Sequence, residues 1–295
     1  MTEIAGAGHR RRRAARAIAP GRGGRLQSWL VWGAVAFFLV NLAALILSVV
    51  VNSFGRTWFG GWLPRGFTTA WYADAWREFD LGSVLQVTLE VALSVVVIAL
   101  LLGVPAAYAL ARRDFPGKRV VMLLMFLPVL LPPITYGIPL ATVLYKFHLA
   151  GTLTGVVAAN LVPALPFVIL VMTPFVEQID TNVESAARMC GARTRQVFAR
   201  VLVPLLLPGI LAAAILVLVR TVAMFELTFL VSDADSQTLV VALYSAAFTP
   251  GIRALQAIDA MAVIYTALSS VLLLIALAFV NPTQIVAQVK EATTE

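Results

Sequence analysis

The chain has 295 residues, of which 60% are hydrophobic and only 13% are charged. A soluble domain has about 25% charged residues, so this composition excludes a soluble globular protein and indicates several membrane-spanning helices. The formal net charge of +7 does not indicate nucleic-acid binding, because much of it comes from arginines directly before an apolar stretch, with no accompanying aromatic or glycine motif.

These arginines lie in a basic tail, residues 1–25, that precedes the first predicted span. A basic run beside an apolar stretch holds that end of the chain in the cytosol, and it can also contact anionic membrane lipids. Residues 26–54 contain no charge and are long enough to cross the bilayer. Residues 52–83 then form a polar connection rich in tryptophan, which we expect on the periplasmic side.

The second and third predicted spans differ in their prolines. Residues 81–111 form an apolar run that only Glu90 interrupts, and the cations that follow it predict a cytosolic turn. Residues 120–145 contain four prolines, which must break or kink the helix and free carbonyls that only protein or a wet cavity can satisfy. Two interpretations stay open for this third span: simple bending within the bundle, or the lining of a pathway to which Tyr136 would contribute.

The fourth and fifth spans enclose a polar loop. Residues 152–176 form the fourth span and residues 201–225 form the fifth. Between them, residues 177–200 carry four arginines against three acids, which predicts a cytosolic position. Residues 226–256 follow on the outer side, and the apolar stretch 239–248 within them is too short to span, so it is predicted to be a re-entrant or gate-capping helix.

The sixth span, residues 260–280, is opened by Asp259 and leads to a short cytosolic tail at residues 289–295. Six spans with both termini in the cytosol place every cation cluster inside, whereas five spans would place one cluster outside. We therefore predict an all-α polytopic membrane protein with one transmembrane domain over residues 26–288.

Catalytic signatures are missing from the sequence, which has no motif for nucleotide binding, metal-dependent hydrolysis or nucleophilic catalysis. Its two histidines, His9 and His148, have no cysteine or carboxylate at ligand spacing, so no metal site is predicted. Cys190 is the only cysteine, which excludes an internal disulfide and fits a reducing compartment. We predict no catalytic residue and no cofactor in this chain. If the chain moves a solute uphill, the energy must come from ATP hydrolysed by a partner or from an ion gradient.

The predicted cytosolic loop contains a short helix of small residues. Ser185, Ala186 and Ala187 are followed, after three residues, by Gly191 and Ala192. Exposed alanines present little bulk, so another protein can close around the backbone, and the glycine permits a sharp exit from the helix. Further along lie Phe198, Pro204 and Pro208. The prolines lack backbone donors and are expected to fix how the loop joins the fifth span.

This pattern resembles the EAA loop of permease subunits of type I ABC importers, which work with a substrate-binding protein, and it is closest to the polyamine (spermidine and putrescine) type. The resemblance covers most of the chain from the second span to the sixth. In the family a glutamate precedes the two alanines, whereas here Ser185 stands at that position and Glu184 lies one position earlier. Whether Glu184 or Ser185 makes the polar contact of that glutamate stays open.

The resemblance implies that the loop holds a coupling helix that docks on a separate ATP-binding subunit, so ATP and Mg²⁺ are bound by that partner. It implies an assembly in the bacterial inner membrane of two permease subunits, identical or related, with two ATP-binding subunits and a periplasmic substrate-binding protein. The residues it assigns to coupling are Glu184, Ser185, Ala186, Ala187, Gly191, Ala192, Phe198, Pro204 and Pro208.

The ionisable groups in or beside the spans are Glu90, Arg220, Glu226 and Asp259. Because burying charge in lipid is costly, each should face the interior or a partner, and we expect Glu90 to lie deepest in the bundle. Arg220 and Glu226 are about 240° apart around a helix, so they are not expected to form an intrahelical pair. For each acid, a structural ion pair or a helix cap is the alternative to a role in transport.

An excess of acid in the outer half would attract a cation from outside, and the sequence from Phe225 to Leu239 resembles polyamine-type permeases. A polyamine or related organic amine is therefore the favoured cargo, along a path formed by Glu90, Tyr136, Arg220 and Glu226. Phosphonate, thiamine, iron and sugar stay open as other cargoes. A secondary transporter driven by an ion gradient and a structural or assembly protein are the alternatives of other classes.

Overall fold

The computed structural model describes residues 22–58, 64–249 and 254–279, and it divides the chain into two units, residues 1–51 and 52–295. The predicted cytosolic tail at residues 289–295, and the basic tail up to residue 21, lie outside the described residues. In the first unit, one long apolar helix, α1 (Arg22–Phe54), accounts for the described part and continues to the start of the second unit.

The second unit is built from helices, and the only β-type pairing in its described ranges is an isolated bridge between Gly55 and Phe67. Its helices are α2 (Ala70–Glu78), α3 (Leu81–Arg112), α4 (Lys118–Leu130), α5 (Pro133–Lys146), α6 (Leu153–Glu177), α7 (Thr181–Met189), α8 (Thr194–Val197), α9 (Val203–Val222), α10 (Glu226–Val231), α11 (Leu239–Phe248) and α12 (Leu255–Phe279). Between α8 and α9 the chain forms a π-helical turn, Phe198–Leu202. The all-α fold class predicted from the sequence is confirmed.

Five helices in the described part of the chain are long and apolar enough to cross a membrane, and they correspond to the predicted spans one, two, four, five and six. The α8 segment, the π turn and α9 together form one such span, Thr194–Val222. The predicted third span is two helices, α4 and α5, that meet at an angle of 100°. The described part of the chain therefore has six candidate spans when this bent pair counts as one.

The break between α4 and α5 follows from consecutive prolines. Leu131 precedes Pro132, and Pro132 precedes Pro133. A residue before a proline is pushed towards extended backbone, and Leu131 and Pro132 indeed have ψ angles of 145° and 132°. Pro133 then begins α5, where its missing N–H is not needed. The sequence predicted a break or kink here, and the structure shows a break at which the helix axis turns by 100°.

The main core of the second unit lies where α3 packs against α6 and α9. Two glycines allow this close approach. A Cβ atom at Gly103 would lie 2.6 Å from Cγ1 of Val168, and one at Gly209 would lie 2.7 Å from Cγ of Phe175. Membrane helices lack a strong hydrophobic driving force for association, so small residues at such contacts allow the dispersion contacts that hold them together.

A second, outer cluster joins α2, α11 and α12 to the first turns of α3. The N–H of Leu239 donates to Oγ1 of Thr88 over 2.8 Å, and the Thr88 hydroxyl itself donates to the carbonyl of Val84 over 2.6 Å. The short helix predicted at residues 239–248 is therefore present as α11, and its first residue is fixed to α3. Asp259 lies inside α12, one turn after the helix begins, and not at the start of the span.

We predict that Gly103→Leu destabilises the folded chain by about 1–3 kcal/mol, because the new side chain must displace Val168 in a packed helix contact. Thermal unfolding of the purified chain in detergent should show a clear fall in Tm. The matched control is Gly33→Leu in α1, where no atom lies within 4 Å of the added Cβ. Equal Tm values for the two variants would contradict this packing.

Candidate functional site: the cytosolic loop and the outer polar group

The loop predicted at residues 177–200 folds around α7, whose first turn is capped by Asp180. Oδ1 of Asp180 accepts a hydrogen bond from the N–H of Asn182 over 2.9 Å, which satisfies one of the donors that a helix leaves free at its N-terminus. Ser185 is exposed, and its hydroxyl donates to the carbonyl of Thr181 within the same helix over 3.2 Å. The hydrogen bonds described for the N-terminal half of α7 are therefore all made within the loop itself.

The C-terminal end of α7 turns sharply at Gly191. Its φ of +83° lies in the left-handed region that favours glycine. The N–H of Gly191 donates to the carbonyl of Arg188 over 2.9 Å, and that of Ala192 donates to the carbonyl of Ala187 over 3.1 Å. This pair of hydrogen bonds is a Schellman motif. The sharp exit expected from the glycine is thus present.

Glu184 is the buried residue of α7, with 6% of its surface exposed. Its Oε2 accepts a hydrogen bond from the hydroxyl of Tyr108 over 2.6 Å, and its Oε1 accepts one from Nε of Arg112 over 2.9 Å. Both partners lie at the last turns of α3. Of the two residues that the sequence left open, Glu184 makes this contact with the spans, whereas Ser185 faces outward.

Tyr108, Arg112 and Glu184 form a group that we call the loop anchor. Besides its bond to Glu184, Arg112 donates to the carbonyl of Ile179 at the end of α6. The ring of Tyr108 packs edge-on against Phe198 in the π turn, with ring centroids 5.6 Å apart. The end of α3 therefore contacts both α7 and the segment that leads into α9.

Sequence reasoning missed Tyr108 and used Arg112 only as a marker of the cytosolic side. A signal was present, because the two residues are four positions apart and so share one face of α3. A tyrosine in an otherwise apolar run usually has a partner for its hydroxyl. The sequence did not reveal that this partner is Glu184, which lies 76 residues further along the chain.

The other residues predicted for coupling fall into three sets. Ala186 and Gly191 are exposed, as expected for a docking surface. Ala187, which was expected to be exposed, is only partly so, because it packs with Ala192 against the main core, together with Phe198. Pro204 lies in the first turn of α9, and Pro208 lies inside that helix. Both prolines belong to the fifth span and not to the loop.

Three of the four residues predicted for the solute path lie in the half of the spans that the sequence predicts to be the outer one: Tyr136 in α5, Arg220 in the last turn of α9 and Glu226 at the start of α10. Helix α10, which begins with Glu226, packs against α5, which carries Tyr136, and the buried hydroxyl of Tyr136 has no hydrogen-bond partner. The guanidinium of Arg220 lies 5.1 Å from the centre of the Phe167 ring. The sequence treated Arg220 and Glu226 as neighbours on one helix, whereas the structure places them in different helices, α9 and α10, and the described residues show no ion pair between them. We call Tyr136, Arg220 and Glu226 the outer polar group.

The helix that begins with Glu226 is held by a buried polar contact. Nδ2 of Asn160 in α6 donates to Oγ1 of Thr228 in α10 over 3.1 Å. Both residues are almost completely buried. Nδ2 of Asn160 also donates to the carbonyl of Val156 over 2.9 Å, so loss of Asn160 would leave the buried Thr228 hydroxyl without this donor, at a cost in stability. Asn160 was not identified from the sequence, although it is the only amide in an otherwise apolar span.

Glu90 was expected to lie deepest in the bundle, but its side chain is exposed on α3, where Oε1 accepts a hydrogen bond from Gln86 over 2.8 Å. It must therefore face something beyond this chain. Asp259, by contrast, accepts a hydrogen bond from the side-chain amide of Asn52, which is a structural contact. Across the described ranges, no three His, Cys, Asp or Glu side chains are grouped so that they could hold a metal ion.

The comparisons with known proteins all point to the same family of transport proteins. Residues 99–285 match the family described as binding-protein-dependent transport system inner membrane component. The trehalose transport system permease protein SugB of Mycobacterium tuberculosis is 33% identical over 192 residues, which cover 64% of this chain and 70% of that protein. The molybdenum transport system permease protein ModB of Haemophilus influenzae is 32% identical over 185 residues, covering 57% of this chain and 81% of that protein.

Among solved structures, a chain of a bacterial ABC transporter that imports the acidic polysaccharide alginate superposes with a TM-score of 0.70 at 19% identity, over 89% of this chain and 98% of that chain. At this identity the likeness shows the fold alone. The family match covers more than half of the chain, and proteins of this family are permeases and not enzymes, since a separate subunit hydrolyses ATP. The chain thus belongs to the inner-membrane components of binding-protein-dependent transport systems, and it is a multi-pass permease subunit of a type I ABC importer.

Proposed function

We propose that the loop at residues 177–200 docks on a separate ATP-binding subunit and that the loop anchor transmits the movement of that subunit to α3. Two permease subunits would enclose the path, two ATP-binding subunits would bind below them, and a periplasmic binding protein would deliver the solute. The structure of an alginate ABC transporter with a periplasmic protein is a related assembly, with a TM-score of 0.64. Membership of the importer family favours this function over an ion-gradient transporter.

The observation that carries this proposal is the burial of Glu184 against the end of α3. A buried carboxylate loses its hydration, so it must keep its hydrogen bonds and its cationic partner. If α7 moved without α3, Glu184 would lose the Tyr108 and Arg112 contacts together. The loop and α3 are therefore expected to move as one body when an ATP-binding subunit pulls on the loop.

We predict that Arg112→Met destabilises the permease by about 3–5 kcal/mol, because it leaves the buried carboxylate of Glu184 with only the more distant and exposed Arg188 as a cation. Glu184→Gln should cost less, about 1–2 kcal/mol, because an amide can still accept a hydrogen bond. The double variant should recover most of the loss of Arg112→Met. Thermal unfolding in detergent measures all three variants.

The matched control for this series is Arg113→Met, which removes an exposed arginine at the next position. It should leave the Tm unchanged. The proposed anchor would be contradicted if Arg112→Met and Arg113→Met had the same effect, or if the double variant were no more stable than Arg112→Met alone.

Coupling itself is tested by Gly191→Pro, because proline cannot adopt the φ of +83° found there. We expect the complex to keep ATP hydrolysis but to lose most of its uptake, measured on the same proteoliposomes. Gly117→Pro is the control, because Gly117 has nearly the same φ, +85°, with no neighbouring atom within 4 Å of an added Cβ, in another turn. Normal uptake with Gly191→Pro would contradict the proposed coupling through the loop.

For the cargo, we propose a polyamine or related organic amine, supported by the acids Glu90 and Glu226. The outer polar group also offers a guanidinium and a free tyrosine hydroxyl, and a solute rich in hydroxyl groups could use these donors together with the Glu226 carboxylate. A sugar is therefore the second candidate, and relatives named for trehalose and diacetylchitobiose are in keeping with it. Phosphonate, thiamine and iron have no specific contact in their favour.

Glu90→Gln and Glu226→Gln separate these two cargoes. If an amine passes the acids, each change should slow spermidine uptake about tenfold, because a charged hydrogen bond is worth about 1.5–3 kcal/mol. Glu177→Gln, on the exposed cytosolic end of α6, should leave the rate unchanged. Unaltered spermidine uptake in both variants, or trehalose uptake with no spermidine uptake at all, would exclude the amine.

A further inference from the structure

The surface around the Gly191 turn is strongly basic. Residues 185–200 contain four arginines and no acid, and the side chains of all four are exposed. We call this set the arginine face, and its members are Arg188, Arg193, Arg195 and Arg200. Arg188 lies 3.8 Å from Oε2 of Glu184, whose carboxylate is already bound by Arg112. The other three form no ion pair with any described residue.

Beside the arginine face lies Met189, the last residue of α7. It is 85% exposed, more than any other large apolar side chain in the described ranges. It belongs to the polar loop and not to a span, so the bilayer core does not cover it. A flexible, polarisable methionine adapts well to the pocket of a partner protein. Its exposure in the isolated chain indicates a contact that forms only in the assembly.

A cleft of about 360 Å³ opens at the same place. Small residues, Ala187, Gly191 and Ala192, line part of it, and Gln196 and Arg200 supply its polar groups. Because the cleft contains an arginine and an amide but no acid, a carboxylate is the group that fits it best.

We propose that the arginine face binds an acidic rim on the ATP-binding subunit, with Met189 inserted into an apolar pocket inside that rim. A carboxylate of the same subunit enters the cleft and binds Arg200 and Gln196. This inference rests on the proposed docking of the loop, and it adds the chemistry of the receiving surface. Anionic lipid headgroups would also attract the arginines, but a lipid surface offers no pocket for Met189 and no single carboxylate for the cleft.

The test uses the full permease purified with its ATP-binding subunit. Arg193→Glu combined with Arg195→Glu should raise the Kd for that subunit by about tenfold or more at low salt, because two attractive pairs become repulsive. The dependence of the Kd on salt should weaken in the same variant. The control is Arg113→Glu combined with Arg119→Glu, which makes the same charge change in the turn between α3 and α4 and should leave the Kd unchanged.

Two further pairs of variants test the pocket and the cleft. Met189→Ser should raise the Kd, whereas Met189→Leu, which keeps an apolar side chain, should restore most of the affinity. Arg200→Glu should raise the Kd. Arg200→Lys should keep only part of the affinity, because lysine cannot make the bidentate contact that arginine makes with a carboxylate. Equal binding by the Ser and Leu variants would overturn the role of Met189.

Cys190, the only cysteine of the chain, is exposed and lines the cleft, so it distinguishes the two levels of the proposal. If the ATP-binding subunit does not slow maleimide labelling of Cys190, the docking of the loop is itself wrong. If labelling is slowed but the arginine reversals bind normally at every salt concentration, only the acidic-rim inference fails. If the reversals weaken binding to phosphatidylglycerol vesicles but not to the ATP-binding subunit, lipid is the partner and the inference is overturned.

Discussion

The buried carboxylate of Glu184 is the interaction on which the rest of this structure depends. It is almost completely shielded from water, so its charge is stabilised mainly by the hydroxyl of Tyr108 and the guanidinium of Arg112, with the Arg188 guanidinium further away at 3.8 Å. An ion pair of this kind adds little net stability compared with apolar packing, but it strongly disfavours any arrangement in which the partners separate. It therefore specifies where α7 lies on α3, and the Asp180 cap and the Gly191 turn shape the helix around that fixed point.

The packing of the spans shows how a movement at this point could reach the outer side of the membrane. Tyr108 contacts Phe198 in the π turn, and π turns inside helices are frequently found at functional sites. From Thr194 to Val222 the chain runs as a single apolar span, with Arg220 of the outer polar group in its last turn. In the proposed mechanism, the loop, α3 and this span form one mechanical unit whose far end carries the groups that contact the solute.

The sequence predicted the helices well because apolar length and the distribution of cations are strong signals in a membrane protein. The family motif located the loop, and the position of Gly191 predicted its turn. The sequence could not show which residue of the loop turns inward, because Glu184 is displaced by one position from the family pattern. Burial of Glu184 is decided by Tyr108 and Arg112, and a contact across more than 70 residues leaves no local trace.

Two other features depended on three-dimensional packing. The prolines of the third span predicted a break, but its angle of 100° is set by two successive extended residues and by what α5 packs against. Glu90 was expected to lie deep in the bundle because charge is costly in lipid. That rule holds for the complete assembly and not for one subunit, so an acid can be exposed on this chain and still face a second permease subunit or the solute path.

The most direct measurement is the distance, by spin labelling, between the loop and α3 within one subunit of the assembled transporter. One label is placed at Thr181→Cys in α7 and the other at Ser83→Cys in the first turn of α3, and Cys190→Ser removes the native cysteine. These positions leave the loop anchor and the arginine face free of labels. We expect a narrow distance distribution that does not change when ATP binds, and a broader, ATP-dependent distribution once Glu184→Gln is added. A distance that shifts with ATP while Glu184 is intact, or identical distributions with and without Glu184→Gln, would contradict the account.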